Sequence, residues 1–330
     1  MRRAPILSKQ LVWAGACVGA AFLIYLALGS VSIPVLDVAK ELFRGDLGDF
    51  STDNGIIWRI RLPRALACLL VGAILGTVGS VFQSLFRNPL AEPTIIGVSS
   101  GAAVGGTTAI LLGVSAGFGR VGFAIGGALL ALLLVMAIAK RQGVVNVQTL
   151  LLGGVVVGSL LSGLTTLNLT LAGLDSGKVL YWLLGSTTPM YPANVGLLAV
   201  TLIGGFSILY RQSRKINAFS VSEFMAERQG VDPRKLKNLV LFAGTVMTGI
   251  CVGLVGIIGF VGLVAPHIAR RLVGNDLRRS MLLSAQLGSV ILMCADILAQ
   301  RLRPGTELPI GAVTAALGAP FLLWMLKSKG

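Results

Sequence analysis

Charged side chains are scarce in this 330-residue chain. Only 12% of its residues are Asp, Glu, Lys or Arg, whereas soluble domains carry about 25%. Hydrophobic residues make up 55%, and the mean hydropathy is +0.85. The net charge of +15 is scattered between apolar runs rather than gathered on one surface, which argues against a nucleic-acid-binding domain. The composition therefore indicates a membrane protein.

Motifs for nucleotide binding and catalysis are also missing. The sequence contains no GxxxxGK[ST] phosphate loop, no HExxH and no CxxC. It has a single histidine, and its four cysteines all lie inside apolar runs, where small buried side chains are expected: Cys17, Cys68, Cys251 and Cys294. We therefore predict no catalytic residue, no metal site and no cofactor in this chain, so that energy for any active process must come from elsewhere.

Long apolar runs are what the sequence does contain. A helix needs about 20 residues to cross the hydrocarbon core of a bilayer. Ten runs approach this length: 11–30, 64–85, 93–112, 118–139, 149–171, 193–210, 238–257, 259–272, 278–299 and 307–326. The first follows a basic start and is interpreted as an uncleaved span, and the eighth is short and contains Pro266. The pattern predicts one all-α polytopic membrane domain over residues 1–330, with about ten transmembrane helices.

The distribution of basic residues predicts the orientation. With the N-terminus inside, 19 of the 28 Lys and Arg fall in the inner segments and 9 in the outer ones. Cytoplasmic loops carry an excess of basic residues. We therefore expect a multi-pass protein of the cytoplasmic membrane with both termini in the cytoplasm.

The longest inner segment, 211–237, contains a predicted short helix. Ser222 is a candidate N-cap before EFMAERQG, and Gly230 is a candidate stop. Val221, Phe224 and Met225 give this helix an apolar edge. From spacing alone it is either a lid on the membrane surface or a docking element for a cytoplasmic partner.

Two stretches suggest inverted-repeat-like halves. RLPRALACLLVGAILGTVGSVFQSLFRNPLAEP and DPRKLKNLVLFAGTVMTGICVGLVGIIGFVGLVAP both run from a basic, proline-containing start through a Gly-rich span to a proline-containing joint. The first begins outside and the second inside, which is typical of transporters with broken helices. Asn88, Pro89 and Pro93 would form the first joint, as a structural hairpin or a moving joint, and Pro266 with His267 the second.

Few charges lie within or beside the spans. Asp296 is one turn from Gln300 and Arg301; pairing with a nearby Arg is the plainer interpretation and a coupling-ion site the alternative. Basic residues also stand at the outer end of the second span, against the general bias: Arg59, Arg61 and Arg64. They would snorkel or pair with the preceding acidic loop, or else pair with acids of an extracytoplasmic partner.

Three long motifs resemble the FecCD family of permease subunits of type II ABC importers for iron–siderophores, haem and cobalamin. They are RLPRALACLLVGAILGTVGSVFQSLFRNPLAEPTIIGVSSGA, GFVGLVAPHIARRLVGNDLR and ADILAQRLRPGTELPIGAVTAALGAPFLLWML, within a resemblance that spans about residues 11–327. The resemblance implies a BtuC-like permease fold with ten helices per subunit. It also implies a second permease subunit, two cytoplasmic ABC ATPase subunits that bind ATP and Mg, and a periplasmic substrate-binding protein.

The resemblance assigns roles to three groups of residues. It places the ATPase-coupling contact in the cytoplasmic segment, at Glu223, Met225, Ala226, Glu227 and Gly230, and docking of the binding protein at Arg61, Arg64 and Arg301. In the motif that begins ADILAQR, the family usually has an Arg at the position of Gln300, and here Arg301 follows directly. Family members that carry different cargoes have a histidine at the position of His267. We therefore interpret His267 as part of a helix joint and not as a ligand. We expect an ATP-driven importer of an iron chelate (ferric siderophore or haem), with cobalamin and an ion-coupled secondary carrier as alternatives.

Overall fold

The computed structural model describes residues 9–28, 33–44, 55–114, 117–141, 144–145, 147–303 and 307–327. These residues form thirteen α-helices: α1 Lys9–Ala27, α2 Val35–Arg44, α3 Leu62–Phe86, α4 Val98–Leu111, α5 Phe118–Ala139, α6 Val147–Leu171, α7 Ser176–Leu183, α8 Pro192–Val221, α9 Glu223–Arg228, α10 Pro233–Val255, α11 Val261–Val273, α12 Leu277–Arg301 and α13 Ile310–Lys327. A π-helical turn, Ile56–Arg61, leads directly into α3, and a 3-10 turn, Gly173–Asp175, precedes α7.

Each of the ten predicted apolar runs coincides with a helix, which confirms the all-α polytopic class. Within the described residues, seven helices are long and apolar enough to cross a membrane, and two shorter apolar helices, Val98–Leu111 and Ile310–Leu323, accompany them. The eighth run, which contains Pro266, corresponds to α11. Among the described residues, a two-residue antiparallel ladder between α5 and α6 pairs Lys140 with Val145 and Arg141 with Val144.

The helix lengths repeat along the chain. Helices α3 to α6 have 25, 14, 22 and 25 residues, and α10 to α13 have 23, 13, 25 and 18. In both series a long buried helix is followed by an irregular joint and a short helix. The joints are residues 87–97 and 256–260. The paired long and short helices agree with the two halves predicted from the sequence.

Close helix packing around α3 depends on residues without side chains. A Cβ added at Gly72 would lie 2.3 Å from the carbonyl oxygen of Gly288 in α12, and one at Gly79 would lie 1.8 Å from that of Gly262 in α11. No side chain fits at these distances, so the backbones of α3, α11 and α12 are in direct contact. Small residues at helix crossings are how membrane helices pack without a hydrophobic driving force between them.

Two predicted boundaries were wrong for identifiable reasons. Helix α8 continues eleven residues beyond the predicted end of its span at residue 210, through Arg211 and Lys215, to Val221. Hydropathy marks where the bilayer ends, whereas the helix stops only where its backbone is interrupted. Pro266 lies inside α11, and the break expected there occurs upstream at 256–260, where Gly256 (φ 75°) and Phe260 (φ 67°) adopt left-handed conformations.

Candidate functional site

A buried ion pair lies at the predicted outer end of the bundle. The guanidinium of Arg64 donates from Nε to Asp296 Oδ2 (2.9 Å) and from Nη2 to Asp296 Oδ1 (2.8 Å), while its Nη1 donates to Glu307 Oε1 (2.8 Å). Asp296 is fully buried and Arg64 is 7% exposed. Such a bidentate pair is the strong form of a charged hydrogen bond. Asp296 therefore does pair with an arginine, but with Arg64 of α3 rather than with its neighbour Arg301.

Neutral groups complete the shell around Asp296. The Tyr25 hydroxyl of α1 donates to its carboxylate, as do Gln300 Nε2 (2.9 Å) and, at 3.5 Å, Thr187 Oγ1. Gln300 Nε2 also reaches the Tyr25 oxygen at 3.2 Å. A carboxylate with an arginine and several donors is held by the protein itself. This arrangement ties α1, α3 and α12 together and gives no support to a coupling-ion site.

The burial of Arg61 and Arg64 corrects the prediction that both face a docking partner. Arg61 is 5% exposed, and its Nη1 donates to the carbonyl oxygens of Leu26 (2.6 Å) and Ala27 (3.3 Å) at the end of α1. Both guanidinium groups are therefore engaged within the subunit, because α1 and α12 supply acceptors that the sequence does not place beside α3. Arg301 is exposed, and its docking role stays a prediction.

The first joint begins where α3 ends at Phe86. Arg87 has a left-handed conformation (φ 51°), and Asn88 Oδ1 accepts from the backbone amide of Leu90 at 2.9 Å. The Asn88 side chain thus satisfies a backbone amide within the first joint. Helix α4 starts only at Val98, after Pro89 and Pro93, and not at residue 93 as predicted. Prolines lack the amide needed to continue the helix.

The second joint differs from its prediction. Pro266 removes the amide that would bond to the carbonyl oxygen of Gly262 four residues earlier, and Gln83 Nε2 of α3 donates to that oxygen at 3.4 Å and to Leu263 at 3.3 Å. The carbonyl that Pro266 frees thus accepts a hydrogen bond from α3. His267 is 7% exposed and meets the Phe321 ring edge-on, with 6.3 Å between ring centroids. Both Pro266 and His267 belong to the body of α11 rather than to a joint.

The inner segment forms the predicted short helix, α9. It begins after Ser222, although the Ser222 side chain makes no capping bond, and the chain turns at Gly230 (φ 75°). Phe224 and Met225 are 60% and 53% exposed, and Glu227 is exposed beside them. Ala226 is fully buried, which contradicts its predicted contact with a partner, because it is on the face of α9 that packs inward.

Charged residues also fix the start of α10 behind α9. Lys237 is 5% exposed and donates to Glu223 Oε1 at 2.9 Å, so Glu223 is engaged within the subunit while part of its side chain remains exposed. Asp232 caps α10, and hydrogen bonds from the backbone amides of Lys235 and Arg234 lower its pKa. The charges at the base of α9 thus hold it in place while its apolar tip is exposed.

Within the described residues, no cluster of three or more His, Cys, Asp or Glu side chains could hold a metal ion. All four cysteines are free; Cys68 and Cys251 are buried as predicted, whereas Cys17 and Cys294 are exposed. Sequence reasoning missed one carboxylate, Glu92 in the first joint, which lies next to the start of α11. The available signal was an acidic residue within the proline-containing stretch NPLAEP.

Known proteins resemble this chain over nearly its whole length. Residues 17–328 match the FecCD transport family. The cobalamin import system permease protein BtuC of Halobacterium salinarum is 39% identical over 84% of this chain and 75% of its own length. The vitamin B12 import system permease protein BtuC of Yersinia enterocolitica is 38% identical over 90% of this chain and 91% of its own. A solved structure described as an inward-facing metal-chelate type ABC transporter superposes with a TM-score of 0.84 and 30% identity, covering 97% of this chain and 98% of the other.

Proposed function

Because this chain belongs to the FecCD transport family and is a multi-pass ABC permease, we propose that it moves a bulky metal chelate across the cytoplasmic membrane using ATP hydrolysed by a partner chain. The observation that carries the proposal is the match over residues 17–328, which spans both halves, both joints and the coupling segment. The chain itself is a transporter component and not an enzyme.

Cobalamin is the cargo that we place first. Two relatives, at 39 and 38% identity, are named as import permeases for cobalamin or vitamin B12. The description of the structural neighbour as metal-chelate type supports a ferric siderophore or haem as the second candidate, which the sequence alone had put first. Both are bulky chelates that a pathway lined by apolar and small side chains would hold weakly and release.

The partners follow from the same family membership. We propose that a second permease subunit completes the pathway, that two ABC ATPase subunits bind ATP and Mg in the cytoplasm, and that a periplasmic binding protein delivers the cargo. The exposed apolar tip of α9 supports docking to the ATPase over a membrane-surface lid, because Glu227 and Arg228 flank the apolar residues Phe224 and Met225. A partner that binds two conformations of α9 unequally would shift the balance between them. Both termini would then lie in the cytoplasm.

The test is uptake by vesicles that contain the permease, its ATPase subunits and lipid, with the binding protein outside and ATP inside. We expect accumulation of labelled cyanocobalamin that requires ATP and survives collapse of the ion gradients. Uptake of a ferric siderophore or haem in place of cyanocobalamin would select the second cargo. Uptake without ATP that stops when the gradients collapse would overturn the proposal in favour of a secondary carrier, as would ATP hydrolysis by the permease alone.

A further inference from the structure

A phenylalanine connects the coupling segment to the first joint. Phe219 is fully buried near the end of α8, and two cations lie on its ring, Arg87 at 5.4 Å and Lys237 at 5.2 Å from the ring centroid. Arg87 also donates to the carbonyl oxygen of Phe219. Cations over aromatic rings are attracted by the ring quadrupole, most strongly where water is excluded. Since Lys237 pairs with Glu223 at the start of α9, a displacement of α9 acts on the same ring that holds Arg87.

A carboxylate connects the first joint to the second. The Glu92 carboxylate accepts a hydrogen bond from the Thr94 hydroxyl. It also lies at the start of α11, where its Oε2 is 3.9 Å from the position of a Cβ at Gly262 and close to the backbone amide of Phe260. Phe260 is the N-cap residue of α11 and makes no side-chain capping bond of its own. Amides at a helix N-terminus lack partners within the helix, and a negative charge there is favoured by the helix dipole. Glu92 therefore places a carboxyl group at the N-terminus of α11 from the other half of the chain.

The second joint is in turn packed on α13. Phe260 has φ 67°, a conformation that costs energy for a residue with a side chain. A Cβ added at Gly318 of α13 would lie 2.4 Å from the Phe260 Cβ. Phe260 thus lies between two other elements, with Glu92 near its amide and α13 against its side chain. Displacing the first joint pulls on the amide of a residue that is already strained.

We propose that these contacts form one ordered route, in which motion of α9 reaches the first joint through the Phe219 ring and reaches the second joint from the first through Glu92. In this route Glu92 is a positioning residue that couples the two halves of the subunit. Phe219 acts upstream of both joints and Glu92 only between them. The route rests on the proposed ATP-driven function, since it carries a signal that starts at the ATPase.

The order can be tested by reporting on each joint separately. In a C17S/C294S background, Leu90→Cys reports on the first joint and Gly259→Cys on the second; both positions are partly exposed, and nothing lies within 4 Å of a Cβ at Gly259. The rate of maleimide labelling would be measured in the assembled transporter in vesicles, with and without trapping by ATP and vanadate. In the C17S/C294S background without further substitution, the labelling rate at both reporters should change with ATP.

Two substitutions then test the two contacts separately: the Phe219 ring between α9 and the first joint, and Glu92 between the two joints. Glu92→Gln, which keeps the shape and removes the charge, should leave the response at position 90 and reduce that at 259 about fivefold, the low end of typical coupling between sites. Phe219→Leu should reduce both responses. As matched controls, Asp175→Asn in an exposed ion pair and Phe242→Leu on an exposed surface should change neither.

Several outcomes would overturn the route. An unchanged response at position 259 in Glu92→Gln, or at position 90 in Phe219→Leu, would contradict the corresponding link. Should Phe219→Leu fail to fold, Phe219→Tyr keeps a ring and should keep both responses, while Glu92→Gln still tests the second link. No response at either joint in the wild-type background would instead be a failure of the proposed function.

Discussion

The two ends of the molecule use polar and apolar side chains in opposite ways. At the predicted outer end, Arg64 and Asp296 are buried and bonded to each other between helices. At the predicted inner end, Phe224 and Met225 project from α9 into solvent. A buried charge pair stabilises an arrangement only while both partners remain, and an exposed apolar tip has no use to the isolated subunit. We therefore infer that the predicted outer end stabilises the subunit and that the predicted inner end carries the proposed ATPase-binding surface.

The largest expected effect tests the outer end. Asp296→Ala should lower the free energy of unfolding by about 3–5 kcal/mol, because it leaves the buried Arg64 guanidinium without its main partner. The measurement is thermal unfolding of the subunit in detergent or lipid. Replacing both partners by apolar residues, Arg64→Met with Asp296→Leu, should recover most of the loss, since such swaps are often neutral.

The matched control is Asp37→Asn, which breaks an exposed pair with Lys40 at 3.3 Å and should cost less than about 1 kcal/mol. If Asp296→Ala were no worse than this control, the outer cluster would not hold the helices together. The claim that the buried Arg64–Asp296 pair stabilises the subunit would then be wrong.

A smaller effect is expected at an inner carboxylate that caps α12. Burial by itself would raise the pKa of Asp276, but hydrogen bonds from Arg278 and Asn217 outweigh this and lower the pKa below its usual value. Asp276→Ala should therefore cost about 1 kcal/mol at neutral pH, as for other N-caps.

The lowered pKa of Asp276 determines how its contribution to stability changes with pH. A carboxylate with a depressed folded-state pKa contributes stability above its unfolded pKa of about 3.9 and loses it as the pH falls through the folded value. The difference in melting temperature between wild type and Asp276→Ala should therefore be constant near neutrality and shrink below about pH 4. A difference that grew on acidification would show that the hydrogen bonds do not favour the charged form.

The sequence predicted the helices well and the contacts between them poorly. Hydropathy located all ten apolar runs, and Ser222 and Gly230 bracketed α9, because these signals are local. Pairing of Arg64 with Asp296, 232 residues away, depends on the packing of α3 against α12 and leaves no local pattern. The same holds for Gln83, which satisfies the carbonyl freed by Pro266. The prediction of a break at Pro266 failed because a partner on another helix makes a proline tolerable within α11.

Substitution of Met225 in α9 should have the smallest effect on stability and gives the most direct test of binding. Met225→Glu changes an exposed side chain and should alter the free energy of unfolding by less than about 0.5 kcal/mol. The decisive measurement is the affinity of the purified subunit for its ATPase partner, compared between wild type and Met225→Glu. A loss of at least about tenfold, or 1.4 kcal/mol, with an unchanged melting temperature is the predicted result. An unchanged affinity would contradict the assignment of α9 as the surface through which ATP drives transport.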